Sequence, residues 1–140
     1  AGVAEAQATI APAADSTPRP RYVALRATAP IVVDGVLDEP TWRAGAPITD
    51  FRQVEPEQGK PSRVATRVRI AHDARALYVG IEADDSLGPA GIRVQDLRRK
   101  FDYFQNDLVG IVLDPVGDGR NSVSFQVTPY GAQRELEVYD

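Results

Sequence analysis

The densest group of chemically capable side chains is the run Arg98-Arg99-Lys100-Phe101-Asp102-Tyr103-Phe104-Gln105-Asn106. Recognition of a sugar needs an exposed aromatic ring on which the apolar C–H face can stack, and planar polar groups that form paired hydrogen bonds with its hydroxyls. This run supplies both: Tyr103 and Phe104 are the stacking candidates, and Arg98, Arg99 and Gln105 the bonding ones. Gln53, in the short run Phe51-Arg52-Gln53, is a candidate for a second wall. The same residues also suit a structural task, in which the aromatics close the end of a β-sandwich and the basic groups pair with nearby acids. Both readings stand at this level.

Other chemistries find less support. His72 is the sole histidine, it follows a predicted strand beside Asp73, and no G-x-S-x-G elbow occurs, so serine-type hydrolysis lacks its nucleophile. Glycosidases need only two carboxylates, and 20 Asp and Glu residues provide candidates without singling out a pair. With no Cys, thiolate nucleophiles, disulfides and Cys-ligated metals are excluded. A hard cation such as calcium takes loop carboxylates. Asp84 and Asp85 are the candidate ligands, since adjacent acids at a strand end repel unless a positive group sits between them. Arg98 or Arg99 is the alternative source of that charge. Asp107, Asp114 and Asp118 suit turns, where a carboxylate accepts backbone N–H bonds. A net charge of −4 opposes nucleic acid as a partner, because phosphate tracking requires clustered Lys and Arg.

The elements that must hold these residues read mostly with period two. The chain of 140 residues is 43% hydrophobic, which suits one domain with a single core. Tyr22 to Ala27 alternates as a first strand, Ile31-Val32-Val33 reads as a strand ending at the Asp34-Gly35 turn, and Phe51 to Val54 as a short strand. Asp38 as cap and Pro40 in the first turn predict one short helix over Asp38 to Ala44, with Trp42 as a core plug. Val64 to His72 and Leu77 to Asp84 form a hairpin through Asp73-Ala74-Arg75; Val68 and Ile70 share one face, Arg67 and Arg69 the other. A short helix and a long loop fill Ile92 to Phe104. Strands resume at Leu108 to Leu113, Val123 to Thr128 and Arg134 to Tyr139. Short strands at even spacing with Gly/Pro turns predict an all-β fold, an antiparallel β-sandwich with one or two short helices.

The ends differ from this pattern. Ala1 to Pro20 is Ala- and Pro-rich without a hydrophobic period and reads as a flexible leader, in which Ala6-Gln7-Ala8 matches the small-x-small pattern before a signal-peptidase cut. Residues 21–140 form the folded module. The sequence stops at Asp140, directly after its last strand, which leaves a sheet edge, so the chain reads as part of a longer polypeptide.

The run V-D-G-V-L-D-E-P-T-W (Val33 to Trp42) resembles the opening signature of the family 9 carbohydrate-binding module. It is similar in particular to the module-like domain at the N-terminal end of bacterial outer-membrane proteins. The resemblance continues through Asp50 to Ser62, Ala76 to Asp85, Asn106 to Asp114, Asp118 to Arg120 and Phe125 to Gly131, almost everything after residue 30. It implies a β-sandwich, noncatalytic binding of a polysaccharide or oligosaccharide, calcium as a structural cofactor, and export to the periplasm or outer membrane of a Gram-negative bacterium. It also implies further strands beyond Asp140, and as partner the remainder of the same polypeptide, with a membrane β-barrel as one form of it. One departure stands out: Thr128 precedes Pro129 where the family commonly has Asn, so any ligand contact by that amide is in doubt here. The expectation from sequence is thus a glycan-binding module. The rivals are a protein-docking or assembly module with no sugar ligand and a glycoside hydrolase fragment.

Overall fold

The computed structural model describes residues 20–139. The leader, Pro20 apart, and its Ala6-Gln7-Ala8 motif lie outside the described residues. Two three-stranded sheets form the domain. The first holds β1 (Leu25–Arg26), β2 (Thr66–His72) and β3 (Leu77–Ala83) in the order β1-β2-β3; the second holds β4 (Val109–Leu113), β5 (Ser122–Val127) and β6 (Gln133–Val138) in the order β4-β5-β6. Every pairing is antiparallel except β1 with β2, which is parallel. One short helix, α1 (Pro40–Arg43), and two 3-10 turns at Gly88–Gly91 and Tyr103–Gln105 complete an all-β sandwich. No helix among the described residues is long and apolar enough to cross a membrane.

The β2–β3 hairpin sets the frame. Asp73 closes its turn by accepting the N–H groups of Arg75 (2.7 Å) and Ala76 (2.8 Å) and the Tyr78 hydroxyl (3.0 Å). These donors, the Arg75 backbone first, hold the Asp73 carboxyl below its ordinary range. Strand alternation then sorts the side chains. Val68 opposite Ile81 and Ile70 opposite Val79 form one β-branched face. On the other face Arg67 meets Asp84 (3.2 Å) and Arg69 meets Glu82 (2.9 Å).

The β-branched face turns towards the second sheet. Val79 and Ile81 line a cleft of about 290 Å³ with Val109, Ile111, Phe125 and Val127. None of these side chains is buried outright, and Phe125 is 46% exposed, so the space between the sheets is apolar and partly open. The most thoroughly packed large side chains lie elsewhere: Trp42 is 4% exposed and Phe101 1%.

Trp42 is buried as the sequence predicts, but it does not plug the space between the sheets. A Cβ placed on Gly80 would come 3.0 Å from Leu37 Cδ1 and 3.3 Å from Trp42 Cζ3. Gly80 shares its face with Ala71, which is fully buried, and not with Val79 and Ile81. The indole therefore covers the outer face of the first sheet, on a floor kept low by the absence of a side chain at residue 80.

Glu39 fixes that arrangement and accounts for two corrections. Its Oε2 accepts the Trp42 indole N–H (2.8 Å) and its Oε1 accepts the Val32 backbone N–H (2.8 Å). Ile31-Val32-Val33, expected as a strand, is irregular: no partner strand lies beside it, Val32 N–H is bonded to a carboxylate, and Val33 is 87% exposed. The helix begins at Pro40 behind Glu39, not at Asp38, and is shorter than expected. Two further expectations contract. Phe51 to Val54 makes only an isolated bridge between Arg52 and Pro61, and Ile92 to Phe104 holds no α-helix, only the start of the second 3-10 turn. Along the outer edge of β2, Ile48 pairs with Val68 where β1 has ended.

The Val32 N–H foremost, then the residue's own backbone N–H, with a smaller contribution from the Trp42 indole, hold the Glu39 carboxyl below the ordinary value of 4.5. The folded state therefore favours the ionised form. That stabilisation is complete above about pH 4.5 and is lost as pH falls through the lowered value of the folded state. Thermal melts across pH 6 to 3 should show Glu39→Gln with a lower Tm than wild type at pH 6 and a smaller further loss on acidification. Parallel curves for the two proteins would refute the assignment.

Candidate binding cleft

The loop between the two sheets is built as a closed unit. At its neck Asp107 N–H donates to the Arg93 carbonyl (2.7 Å), and the Asp107 carboxylate accepts Arg93 N–H (2.7 Å). One step inward, Asn106 is buried and uses both ends of its amide. Its Oδ1 accepts the N–H groups of Gln95 (2.6 Å) and Asp96 (3.1 Å), and its Nδ2 donates to the Asp102 carbonyl (2.7 Å). A primary amide carries donor and acceptor on one plane, which lets a single side chain tie the outgoing and returning legs together.

Asp102 then caps the 3-10 turn that carries the aromatic pair. Its Oδ1 accepts Phe104 N–H (2.9 Å) and its Oδ2 the Gln105 amide (3.3 Å). Tyr103 and Phe104 meet edge to face, with centroids 5.2 Å apart and planes at 86°. This geometry lets the positive edge of one ring meet the negative face of the other. Phe104 is 86% exposed and Tyr103 48%, while Phe101, two residues before Tyr103, is buried. Phe101 anchors the turn and the other two rings are presented to solvent.

These rings border a cleft of about 680 Å³ that also takes in Asp96, Arg98, Lys100 and, from β6, Arg134, Glu135 and Leu136. Arg98 forks onto Asp96 through Nε and Nη2, both at 3.0 Å, and this ion pair draws the Asp96 carboxyl below its ordinary range. Arg99 pairs with Glu135 across the mouth of the loop. Arg134 donates to the Phe101 carbonyl (3.3 Å). Lys100 donates its backbone N–H to Gln133 at the start of β6 (3.2 Å) and has φ +64°, the one non-glycine positive φ among the described residues. Left-handed backbone costs a residue with a Cβ about 1–2 kcal/mol.

Of the residues singled out from sequence, Arg98, Tyr103 and Phe104 line the cleft. Arg99 and Gln105 support its walls through Glu135 and Asp102 and do not line it. Gln53 does not line it either: its amide donates to the Pro61 carbonyl (2.8 Å) within its own loop. Lys100, Arg134 and Leu136 went unrecognised. For Arg134 and Leu136 the available signal was strand alternation, which puts both on one face of β6; nothing local in the sequence places that strand beside the loop.

The acid pair at the end of β3 has protein partners. Asp84 receives both terminal nitrogens of Arg67 (3.2 and 3.3 Å), so the neutralising charge comes from β2 and not from Arg98 or Arg99. Asp85 Oδ1 accepts Leu87 N–H (2.6 Å), and its carboxylate lies against Gly91. No group of three His, Cys, Asp or Glu side chains that could hold a metal ion occurs among the described residues. Asp114 and Asp118 accept turn N–H groups as expected, Gly117 (2.6 Å) and Gly119 (2.8 Å) for the first, Arg120 (2.8 Å) and Asn121 (2.9 Å) for the second. Thr128 Oγ1 accepts Ala132 N–H (3.1 Å), so the hydroxyl of this buried residue is used locally.

Fold and cleft together define a small all-β domain that presents an aromatic pair and several cations on a buried-amide loop. Comparison of the chain with protein-family models, with curated proteins and with solved structures finds no match to it.

Asn106 is the residue on which the loop's order rests. Asn106→Ala leaves Gln95 N–H and the Asp102 carbonyl without their partner and should lower stability by about 1–3 kcal/mol. Amide exchange should then quicken across residues 95–105 more than in β2 and β3. Uniform exchange changes across the domain would count against a local role.

Proposed function

We propose that this domain is a noncatalytic glycan-binding module whose site is the cleft bordered by Tyr103 and Phe104. The observation that carries the reading is the pair of rings itself. Phe104 is nearly fully exposed, on a turn whose backbone is capped by Asp102, with its ring edge to face against Tyr103. A preformed aromatic surface spares the ordering cost of binding and meets the apolar face of a sugar ring. Arg98, Lys100 and Arg134 stand around it as donors to hydroxyls. The acids nearby do not favour catalysis. A general acid needs a raised pKa, whereas Asp96 is pulled the other way by Arg98. Membership of a longer, exported envelope protein is part of the proposal and is supported by the resemblance of residues 33–131 to family 9 modules.

Calorimetric titration with a panel of soluble oligosaccharides tests this reading. At least one should bind, and Phe104→Ala should weaken it about tenfold, or about 1.4 kcal/mol, with Tm unchanged because the ring is exposed. Silence across the panel would reject the proposal.

A second reading, docking onto a protein strand, is favoured by the open apolar space between the sheets and by the outer edge of β6. Among the described residues the backbone hydrogen bond to that edge is the one from Lys100 to Gln133. Glu135 and Glu137 occupy alternate positions on the face that looks into the inter-sheet cleft. A second copy pairing antiparallel about Glu135 or Leu136 would set carboxylates opposite one another, which disfavours self-association. The occupant that fits is an extended segment of another protein with Lys or Arg at alternate positions. An alternating Lys-Val peptide should slow amide exchange along Gln133–Val138, and unchanged exchange at saturating peptide would exclude this reading.

A further inference from the structure

Resting on the glycan-binding reading above, we infer that the cleft selects sugars carrying an anionic group, with Lys100 as its principal charge contact and Arg134 as the second.

Charge bookkeeping around the cleft leads there. Counting Arg99 at its margin, Arg98, Arg99, Lys100 and Arg134 face Asp96, Asp102 and Glu135, in a chain whose net charge is −4. The partners are specific. Arg98 forks onto Asp96 and Arg99 onto Glu135, so those charges cancel locally. Asp102 is occupied by neutral donors, the Phe104 N–H and the Gln105 amide. Asp102 keeps its charge, so four cations against three carboxylates leave the cleft one positive charge in excess, with two cations outside any ion pair. The Lys100 ammonium has no carboxylate partner among the described residues, and the Arg134 guanidinium donates there only to a neutral carbonyl, that of Phe101.

An unpaired surface lysine is ordinary by itself. Lys100 differs in two respects. It lines the same cleft as the exposed rings, and its backbone sits at φ +64°, where glycine would be free of strain. The turn holds a lysine in a conformation that a lysine resists, directly between the Arg98–Asp96 pair and the buried Phe101 anchor. A sugar stacked on Phe104 would bring a ring substituent towards this side of the cleft. A ring carboxylate would match the one positive charge in excess and accept charge-assisted hydrogen bonds from Lys100 and Arg134. A neutral sugar would leave both cations as they are.

Titration of the full chain with trigalacturonate and with its methyl ester separates charge from ring stacking, because the sugar rings are the same. The acid should bind about tenfold tighter than the ester at low ionic strength, with the advantage shrinking as salt is raised. Lys100→Gln should remove most of the difference, lowering affinity for the acid far more than affinity for the ester. Lys100→Gly, which relieves the backbone, should do the same with a Tm no lower than wild type, so that loss of selectivity cannot be assigned to misfolding. Equal affinity for acid and ester, or a difference that survives in both variants, overturns the inference and leaves glycan binding in place. Silence with both probes together with silence across the neutral panel overturns the glycan-binding reading itself.

Discussion

The contact on which the domain depends is that of the Trp42 indole with the outer face of the first sheet. It works because residue 80 has no side chain and residue 71 has only a methyl group, so that a flat ring can approach the backbone of β2 and β3. Glu39 then satisfies the indole N–H, the one polar group that burial would otherwise strand, and uses its second oxygen to pin Val32. One carboxylate thereby holds both the helix that delivers the ring and the irregular segment that precedes it. With that face sealed, the β-branched residues of the hairpin are left to meet the second sheet.

The cleft beside Tyr103 and Phe104 follows a similar logic at smaller scale. Loops are poor scaffolds because their backbone groups lack regular partners, and order has to be imported through side chains. Here Asn106 imports it from inside and Asp102 from the turn itself, and Phe101 adds an apolar anchor. The result is an exposed aromatic pair on a turn whose backbone groups are tied down. An apolar ring in water is unfavourable in the free protein, and its retention on so well-braced a turn is the physical basis for reading it as a contact surface.

Much of the fold was legible. The alternation in Val64 to His72 and Leu77 to Asp84 gives the hairpin, its turn and both faces, because in a half-buried strand side-chain direction is fixed by parity alone. The same holds for β4 to β6 within a residue or two. Ile31-Val32-Val33 misled for a definable reason: β-branched composition describes a chain willing to extend, whereas a strand also needs a neighbour, and the local donor was claimed by Glu39. At the site, Tyr103, Phe104 and Arg98 were visible because they lie in one run. Gln53 was not distinguishable from a residue whose amide is used inside its own loop.

What the sequence by itself determined is everything that depends on near neighbours: strand periodicity, the Asp73 turn, the carboxylates of Asp114 and Asp118 turned onto backbone, and the aromatic and basic content of one loop. Only the tertiary structure decided which sheet face the indole covers, that Arg67 rather than Arg98 or Arg99 neutralises Asp84, and that Arg134 of β6 joins the loop's cleft. The reason is the same in each case. Parity along a strand and spacing within a loop are short-range geometric facts, whereas the pairing of segments tens of residues apart is set by which charges and volumes meet once the sheets have closed.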